Sequence, residues 1–369
     1  MAGPLKGYRV LDMSRILAGP WAGQLLADLG ADVVKIERPG CGDDTRHWGP
    51  PYLKDQDGNE TEDAAYFFCA NRGKKSVTID ITRSEGQDII RQLALQSDVL
   101  IENYKVGGLA KYGLDYSALK KINPKLIYCS ITGFGQTGPY ANRPGYDFLI
   151  QGMGGLMSIT GEPDSPDNKT AGPVKVGVAV TDLFTGLYAA NAIQGALLER
   201  HQSGVGQYID LALLDVQAAV LANQASNYLI GNLVPERLGN AHPNIVPYQA
   251  FATADSHIII AVGNDQQFAR FCKVIESPLM AEDPLYASNA NRVNNRQVLC
   301  ESISVSLRQK DSLHWLAAFE ANDVPCGPIN SIDQVFEDPQ IIAREMLINV
   351  TDSRSGGLKM VGNPIKYSR

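Results

Sequence analysis

In "GPVKVGVAVTDLFTGLYAANAIQGALLER", residues 172–200, Asp182 is the one charged residue between Lys175 and Glu199. The stretch around it has the apolar spacing of a buried helix. The simplest reading makes Asp182 a helix N-cap, a carboxylate satisfying the orphan amides ahead of "LFTGLYAA". A second reading is chemical. A carboxylate at a helix N-terminus is held as an anion by the amides and the dipole. Apolar neighbours strip it of water and leave it usable as a nucleophile. The two readings are compatible.

A second set of residues is cationic. Arg15, Arg38, Arg72, Lys74, Lys75, Lys105 and Lys111 lie at or near the ends of predicted strands. Singly, each is an ordinary surface charge. As a set on one rim of a chain with net charge -7, they point to an anionic ligand such as one carrying phosphates. The usual phosphate and hydrolase signatures are missing: no P-loop, no G-x-S-x-G, no H-E-x-x-H, and no dinucleotide fingerprint after the first strand. His47, His201, His242, His257 and His314 form no local pattern, and the six cysteines show no metal spacing. No metal site is expected.

The elements that must position these residues follow from periodicity. Residues 8–13, 32–37, 76–81, 98–103 and 125–131 read as strands with helical stretches between them, and "QYIDLALLD" as a later strand. That alternation predicts an α/β, Rossmann-like parallel sheet with ligands bound beyond the carboxyl ends of its strands. The loops there are Ser14–Pro20, Glu37–Arg46, Glu102–Gly108 and Thr132–Pro139. Helices are expected at 143–158, 180–202 and 214–231. After residue 232 the pattern changes to a hairpin turning near Ala254-Asp255, then helices near 264–275, 290–308 and 311–322. The expected division is a large ligand-binding domain over 1–210, completed by 330–369, and a small α+β domain over 232–325. Residues 211–231 and 326–330 serve as linkers.

The length of 369 residues favours two domains, and 44% hydrophobic with 20% charged residues favours globular cores. The acidic balance argues against a general nucleic-acid or membrane-surface binder. No apolar run is long enough to span a membrane. Scattered cysteines and a strand-like run by residue 8 give a cytoplasmic location as the expectation.

Read together, "VLDMSRILAGPWAGQLLADLGADVVKIERPG", "GDDTRHWGPP", "NRGKKSVTIDI", "IENYKVGGLAKYGLDY", "GFGQTGPYANRPGYD" and "VGVAVTDLFTG" resemble the class III CoA-transferases, in family order and over almost the whole chain. The resemblance implies that Asp182 is the covalent nucleophile, passing through an aspartyl-acyl anhydride and an aspartyl-CoA thioester. Coenzyme A and its acyl esters are then substrates, with no permanently bound cofactor. Gln136 of "GFGQTGP" matches a polar residue beside the intermediate. The implied CoA contacts are Arg15, Leu17 and Ala18; Arg38; Ile79 and Thr82; Asn103 and Tyr104; Lys111 and Tyr112. Phe134 lies against the pantetheine or thioester, and Tyr140 joins it. Lys111 replaces an arginine of relatives and loses its bidentate fork.

Racemases of the same superfamily carry histidine in an R-x-G-H-D segment. Here the segment is "RPGYD", with Tyr146 in that place, and a tyrosine is a poor base near neutral pH. The transferase reading is therefore preferred, and the 2-methylacyl-CoA racemase remains the alternative. Stretches such as "YCSITGFGQTGP", "NYLIG" and "NDQQFA" resemble the branch whose implied acids are dicarboxylates, with succinyl-CoA as donor and an acceptor such as glutarate. The distal carboxylate then needs a cation. Arg72 is the first candidate; Arg46, His47 and His242 follow. The family also implies an interlocked homodimer.

Overall fold

The computed structural model describes residues 3–164 and 172–368. Six parallel strands form the main sheet: β1 (Arg9–Asp12), β2 (Asp32–Glu37), β3 (Lys75–Thr78), β4 (Val99–Glu102), β5 (Ile127–Thr132) and β6 (Tyr208–Ala212). Their order across the sheet is β3-β2-β1-β4-β5-β6. All neighbours are parallel, with Val10 opposite Val33 on one side and Val99 on the other. This is the order of dinucleotide-binding sheets, and the direction of winding reverses between β1 and β4. The loops leaving those two strands therefore diverge and open a crevice.

Strand periodicity places alternate residues on opposite faces. Val10, Val99, Ile101, Ile127 and Cys129 pack with Ala22 and Leu26 of α1 (Ala18–Asp28) and with Ala189 and Ile193 of a later helix. Leu11, Leu100 and Tyr128 face the other way, onto Ile90 and Ala94 of α2 (Ser84–Leu95) and Leu119 of α3 (Tyr116–Ile122). Burial on both faces explains why the central strands read as nearly continuous apolar runs. The later helices of this part of the chain are α4 (Asp147–Met153), α5 (Val180–Ser203), which supplies Ala189 and Ile193, α6 (Leu213–Ala219) and α7 (Ala222–Gly231).

The chain divides into two units. The first comprises Met1–Met157, Lys175–Val234 and Pro339–Arg369; the second comprises Ser158–Val174 and Pro235–Asp338. The expected borders shift for physical reasons. Leu213 of α6 is buried in the main core, so 211–231 is no linker. Cys326–Pro328 is the third strand of the second unit's own sheet, so 326–330 is no linker either. That sheet is antiparallel, with strands β7 (Tyr248–Ala252), β8 (His257–Ala261) and β9 (Cys326–Pro328) in the order β9-β8-β7. Phe251, Ile258 and Ile260 pack there against Phe271, Leu299, Trp315 and Phe319. The helix expected at 290–308 is two, Asn289–Asn294 and Arg296–Leu307, separated at Asn295. The expected helix 214–231 likewise breaks between α6 and α7.

Candidate active site

Helix α5 begins at Val180, with Ala179 as its N-cap, so Asp182 is the third residue inside the helix. The cap reading of Asp182 is thereby corrected. The carboxylate that satisfies the first-turn amides is Asp147, from the start of α4: its Oδ1 accepts from the N–H of Thr181 at 2.8 Å and of Asp182 at 3.3 Å. Gln151 donates to the other oxygen of Asp147 at 2.7 Å, while its own carbonyl oxygen accepts from the Val176 N–H at 2.9 Å. Thr181 is fixed in turn by its hydroxyl, which donates to Gln217 at 2.6 Å. Gln151, Thr181 and Gln217 are all fully buried.

Asp182 itself has no hydrogen-bond donor or cation on its carboxylate among the described residues. Burial, and then the charge of Asp147, push its carboxyl up to about 7. One turn on, Gly186 lets α5 approach α1: a Cβ there would lie 2.8 Å from the Ala18 carbonyl and from the Trp21 ring. Residues four apart share a helix face, so this approach sets Asp182 toward the N-terminus of α1.

Asp182 opens into a cleft of about 170 Å³ lined by Arg15, Leu17, Ala18, Asn103 and Tyr104, all five expected from the sequence, together with Ile16, Lys105, Arg143 and Tyr146. A second cleft of about 360 Å³ is lined by Arg38, Ile79, Thr82, Lys111 and Tyr112. Arg15, Tyr104 and Lys105 line both, so the two clefts adjoin at the sheet's point of reversal. Phe134 and Tyr140 stack edge to face at 5.6 Å and lie beneath the Arg143 guanidinium, at 5.5 and 4.6 Å.

The loop after β1 is held rigidly. The Asn103 side chain straps the Arg15 backbone, accepting from its N–H at 2.9 Å and donating to its carbonyl at 2.7 Å. Ile16 adopts φ +72°, a costly conformation for a β-branched residue. Its N–H points at Asp43, which forms a buried ion pair with Lys35 at 2.8 Å. Lys74 pairs with buried Asp12 at 2.8 Å, and Asp12 also holds Ser14. One of the rim cations, Lys74, thus builds the loop rather than meeting a ligand, as does buried Lys35.

Other expected residues are placed elsewhere. The Gln136 side chain donates to Ser130 at 3.0 Å and lines, with buried Glu102, a separate cavity of about 50 Å³, not the Asp182 cleft. Arg72 grips Asp28 through two hydrogen bonds, at 3.0 and 2.5 Å, and also donates to the Val361 carbonyl. Arg46 is bidentate on Glu37, at 2.8 and 2.7 Å, and pairs with Asp63 at 2.6 Å. Burial favours a raised Glu37 carboxyl, but the hydrogen bonds from Arg46 and Ser76 bring it down to about 2. His47 bonds the Cys41 carbonyl at 2.9 Å. His242 belongs to the second unit, against Tyr248. None of these four lines the Asp182 cleft.

Sequence reasoning missed Asp147, Gln151, Arg143 and Tyr66. Tyr66 meets Trp48 edge to face at 5.3 Å, and its phenol is pushed up to about 12 by burial and by the charges of Cys69, Asp182 and Asp147. Asp147 and Arg143 flank Tyr146 in "RPGYD", so the motif was visible and two of its roles were not. Among the described residues no group of acidic, histidine or cysteine side chains could hold a metal ion, and no helix is long and apolar enough to cross a membrane.

Residues 5–369 match the model of CoA-transferase family III. The chain belongs to that family. This CoA-transferase is 53% identical over 366 residues to the succinate–glutarate CoA-transferase of Agrobacterium fabrum, covering 99% of this chain and 90% of that one. It is 44% identical to the human succinyl-CoA:glutarate CoA-transferase, covering 99% of this chain and 81% of that one. A crystal structure of a CaiB/BaiF family protein from Brucella suis superposes with a TM-score of 0.85 at 50% identity, covering 100% and 93% of the two chains.

Proposed function

We propose that this CoA-transferase moves CoA from succinyl-CoA to glutarate through Asp182. The observation that carries the reading is an unbonded, largely desolvated carboxylate in one of two adjoining clefts at the sheet's point of reversal. The nucleotide end of CoA lies by Arg38, Thr82 and Lys111, and the pantetheine runs past Arg15 and Tyr104 to the thioester at Asp182.

The carboxylate of Asp182 attacks the succinyl carbonyl; the C–S bond breaks, giving a mixed anhydride and CoA thiolate. The thiolate attacks the aspartyl carbonyl, releasing succinate and leaving an aspartyl-CoA thioester. Glutarate attacks that thioester and frees the thiolate again. The thiolate then attacks the glutaryl carbonyl, releasing glutaryl-CoA and restoring the Asp182 carboxylate. A carboxylate is required because only an acyl acceptor conserves the thioester energy. Exclusion of water protects both intermediates.

With Arg72 and Arg46 committed to acids, the distal carboxylate of the acyl group falls to Arg143, carried on its two aromatic rings beside the cleft. The homodimer reading is supported by apolar side chains left in water on one chain: Phe148, Leu149 and Met153 on α4, Leu187 and Leu198 on α5, Leu229 and Ile230 on α7. Six free cysteines fit a reducing cytoplasm. The racemase alternative is disfavoured because Tyr146, and no histidine, lines the cleft.

The test is succinyl-CoA with glutarate, assayed for glutaryl-CoA. Wild type forms it and Asp182→Ala does not; Arg143→Met raises KM for glutarate far more than for a monocarboxylate. Loss of the α-proton from a chiral acyl-CoA, with no exchange of acids, overturns the proposal.

A further inference from the structure

The start of α5 poses a problem for a nucleophile. Free first-turn amides and the positive end of a 24-residue helix would bind an adjacent carboxylate and make it a poorer nucleophile. Asp182 sits in that turn and escapes, because Asp147 occupies the amides of Thr181 and Asp182 itself. Asp147 is not free to leave. Its second oxygen is tied to Gln151, which is anchored at its other end to Val176. The chain enters α4 through a neck where Gly133 and Gly145 touch backbone to backbone; a Cβ on Gly133 would lie 2.6 Å from the Gly145 Cα. That contact leaves no room for any side chain and fixes where Tyr146 and Asp147 begin.

We propose that Asp147 is a positioning residue that takes the helix amides away from Asp182 and holds a second negative charge beside it, so that acylation of Asp182 relieves a repulsion built into the resting site. The inference rests on the reading of Asp182 as the covalent nucleophile. The balance is simple. The Asp182 carboxylate, charge minus one, attacks a neutral thioester; the products are a neutral anhydride and a thiolate that bears the charge on sulfur instead of on Asp182. In the aspartyl-CoA thioester Asp182 is again neutral, and the charge is on the departing acid. Both covalent states therefore remove one of two neighbouring negative charges, and return to free carboxylate restores it.

The groups facing Asp182 are Asp147 from α4, Tyr66 from the short helix Ala65–Cys69, and Tyr146, Arg15, Lys105 and Arg143 along the cleft. Burial is the larger cause of the raised Asp182 carboxyl and Asp147 the second.

The experiment compares wild type with Asp147→Asn, Asp147→Ser and Asp147→Glu. Asparagine and serine can still accept from the helix amides but carry no charge; glutamate keeps the charge. The readouts are the pH profile of kcat/KM and the fraction of enzyme trapped as the Asp182 adduct with succinyl-CoA alone. The neutral variants are expected to move the acid limb to lower pH, to lose plateau rate and to trap less adduct, while Asp147→Glu keeps the wild-type limb. An acid limb that stays in place in Asp147→Asn and Asp147→Ser overturns the inference and leaves Asp147 a structural cap. Adduct on Asp182 in that case keeps the nucleophile reading intact. Absence of any adduct in wild type removes that reading, and the inference with it. Asp147→Ser decides the matter if the asparagine variant does not fold.

Discussion

Replacing Asp182 with asparagine should stabilise the protein, and only at pH values where the aspartate is ionised. The carboxyl stands at about 7 in the folded chain against an ordinary value of 3.8, raised by burial and then by Asp147. A raised carboxyl in the folded state means the fold binds a proton more tightly than the unfolded chain. Stability is therefore lost as pH rises from about 4 to about 7, then levels off. Three units at 1.36 kcal/mol each correspond to about 4 kcal/mol. The side chain keeps some access to water, so about half of that, ~2 kcal/mol, is the working figure. In Asp182→Asn the amide carries no charge, and the cost disappears. For a domain of this size ~2 kcal/mol is a rise of about 4–8 °C in Tm. The assay is thermal unfolding of ligand-free wild type and variant at pH 8 and pH 4.5. The gap should be full at pH 8 and shrink to a small fraction at pH 4.5. Equal gaps at both pH values, or no gain at pH 8, would refute the claim that Asp182 is held ionised against its surroundings.

Asn103→Ala removes both hydrogen bonds that strap the Arg15 backbone, and at about 1 kcal/mol each kcat/KM for the CoA ester should fall roughly 30-fold, with CoA inhibition weakened in parallel. Arg72→Met leaves Asp28 partly buried without its partner; Tm should drop by an amount equivalent to about 1–3 kcal/mol while KM for glutarate stays near wild type. A large rise in that KM would instead return Arg72 to the substrate. Light scattering should give a dimer, and a stable monomer at micromolar concentration would count against the homodimer reading.

Much of the frame was legible because burial on both faces of a parallel sheet leaves a strong signal: the alternation of strands and helices alone puts Arg15, Arg38, Asn103 and Lys111 on one rim. Asp182 stands out in the sequence because a lone charge in an apolar helix has few explanations. Its role as cap was misassigned because the true cap, Asp147, lies 35 residues earlier in the chain and meets α5 only through tertiary packing. The pairing of the expected substrate cations was hidden for the same reason. A sequence displays the charge of Arg72 but not that Asp28, 44 residues away, has claimed it. Gln136 sits in the expected loop, yet a left-handed turn at Gly135 and a bond to Ser130 direct its amide away from Asp182. Borders between the units moved where short elements took their allegiance from tertiary structure rather than from local composition, α6 through buried Leu213 and β9 through its pairing with β8.

The central claim is that Asp182 is acylated. Wild type and Asp182→Ala are incubated with succinyl-CoA in the absence of acceptor, trapped with borohydride or hydroxylamine, and mapped by peptide mass. The expected result is a modification on Asp182 in wild type, discharged by glutarate before trapping, and none in the variant. Full exchange of CoA between acids with Asp182 unmodified, or an adduct that survives in Asp182→Ala, would contradict it.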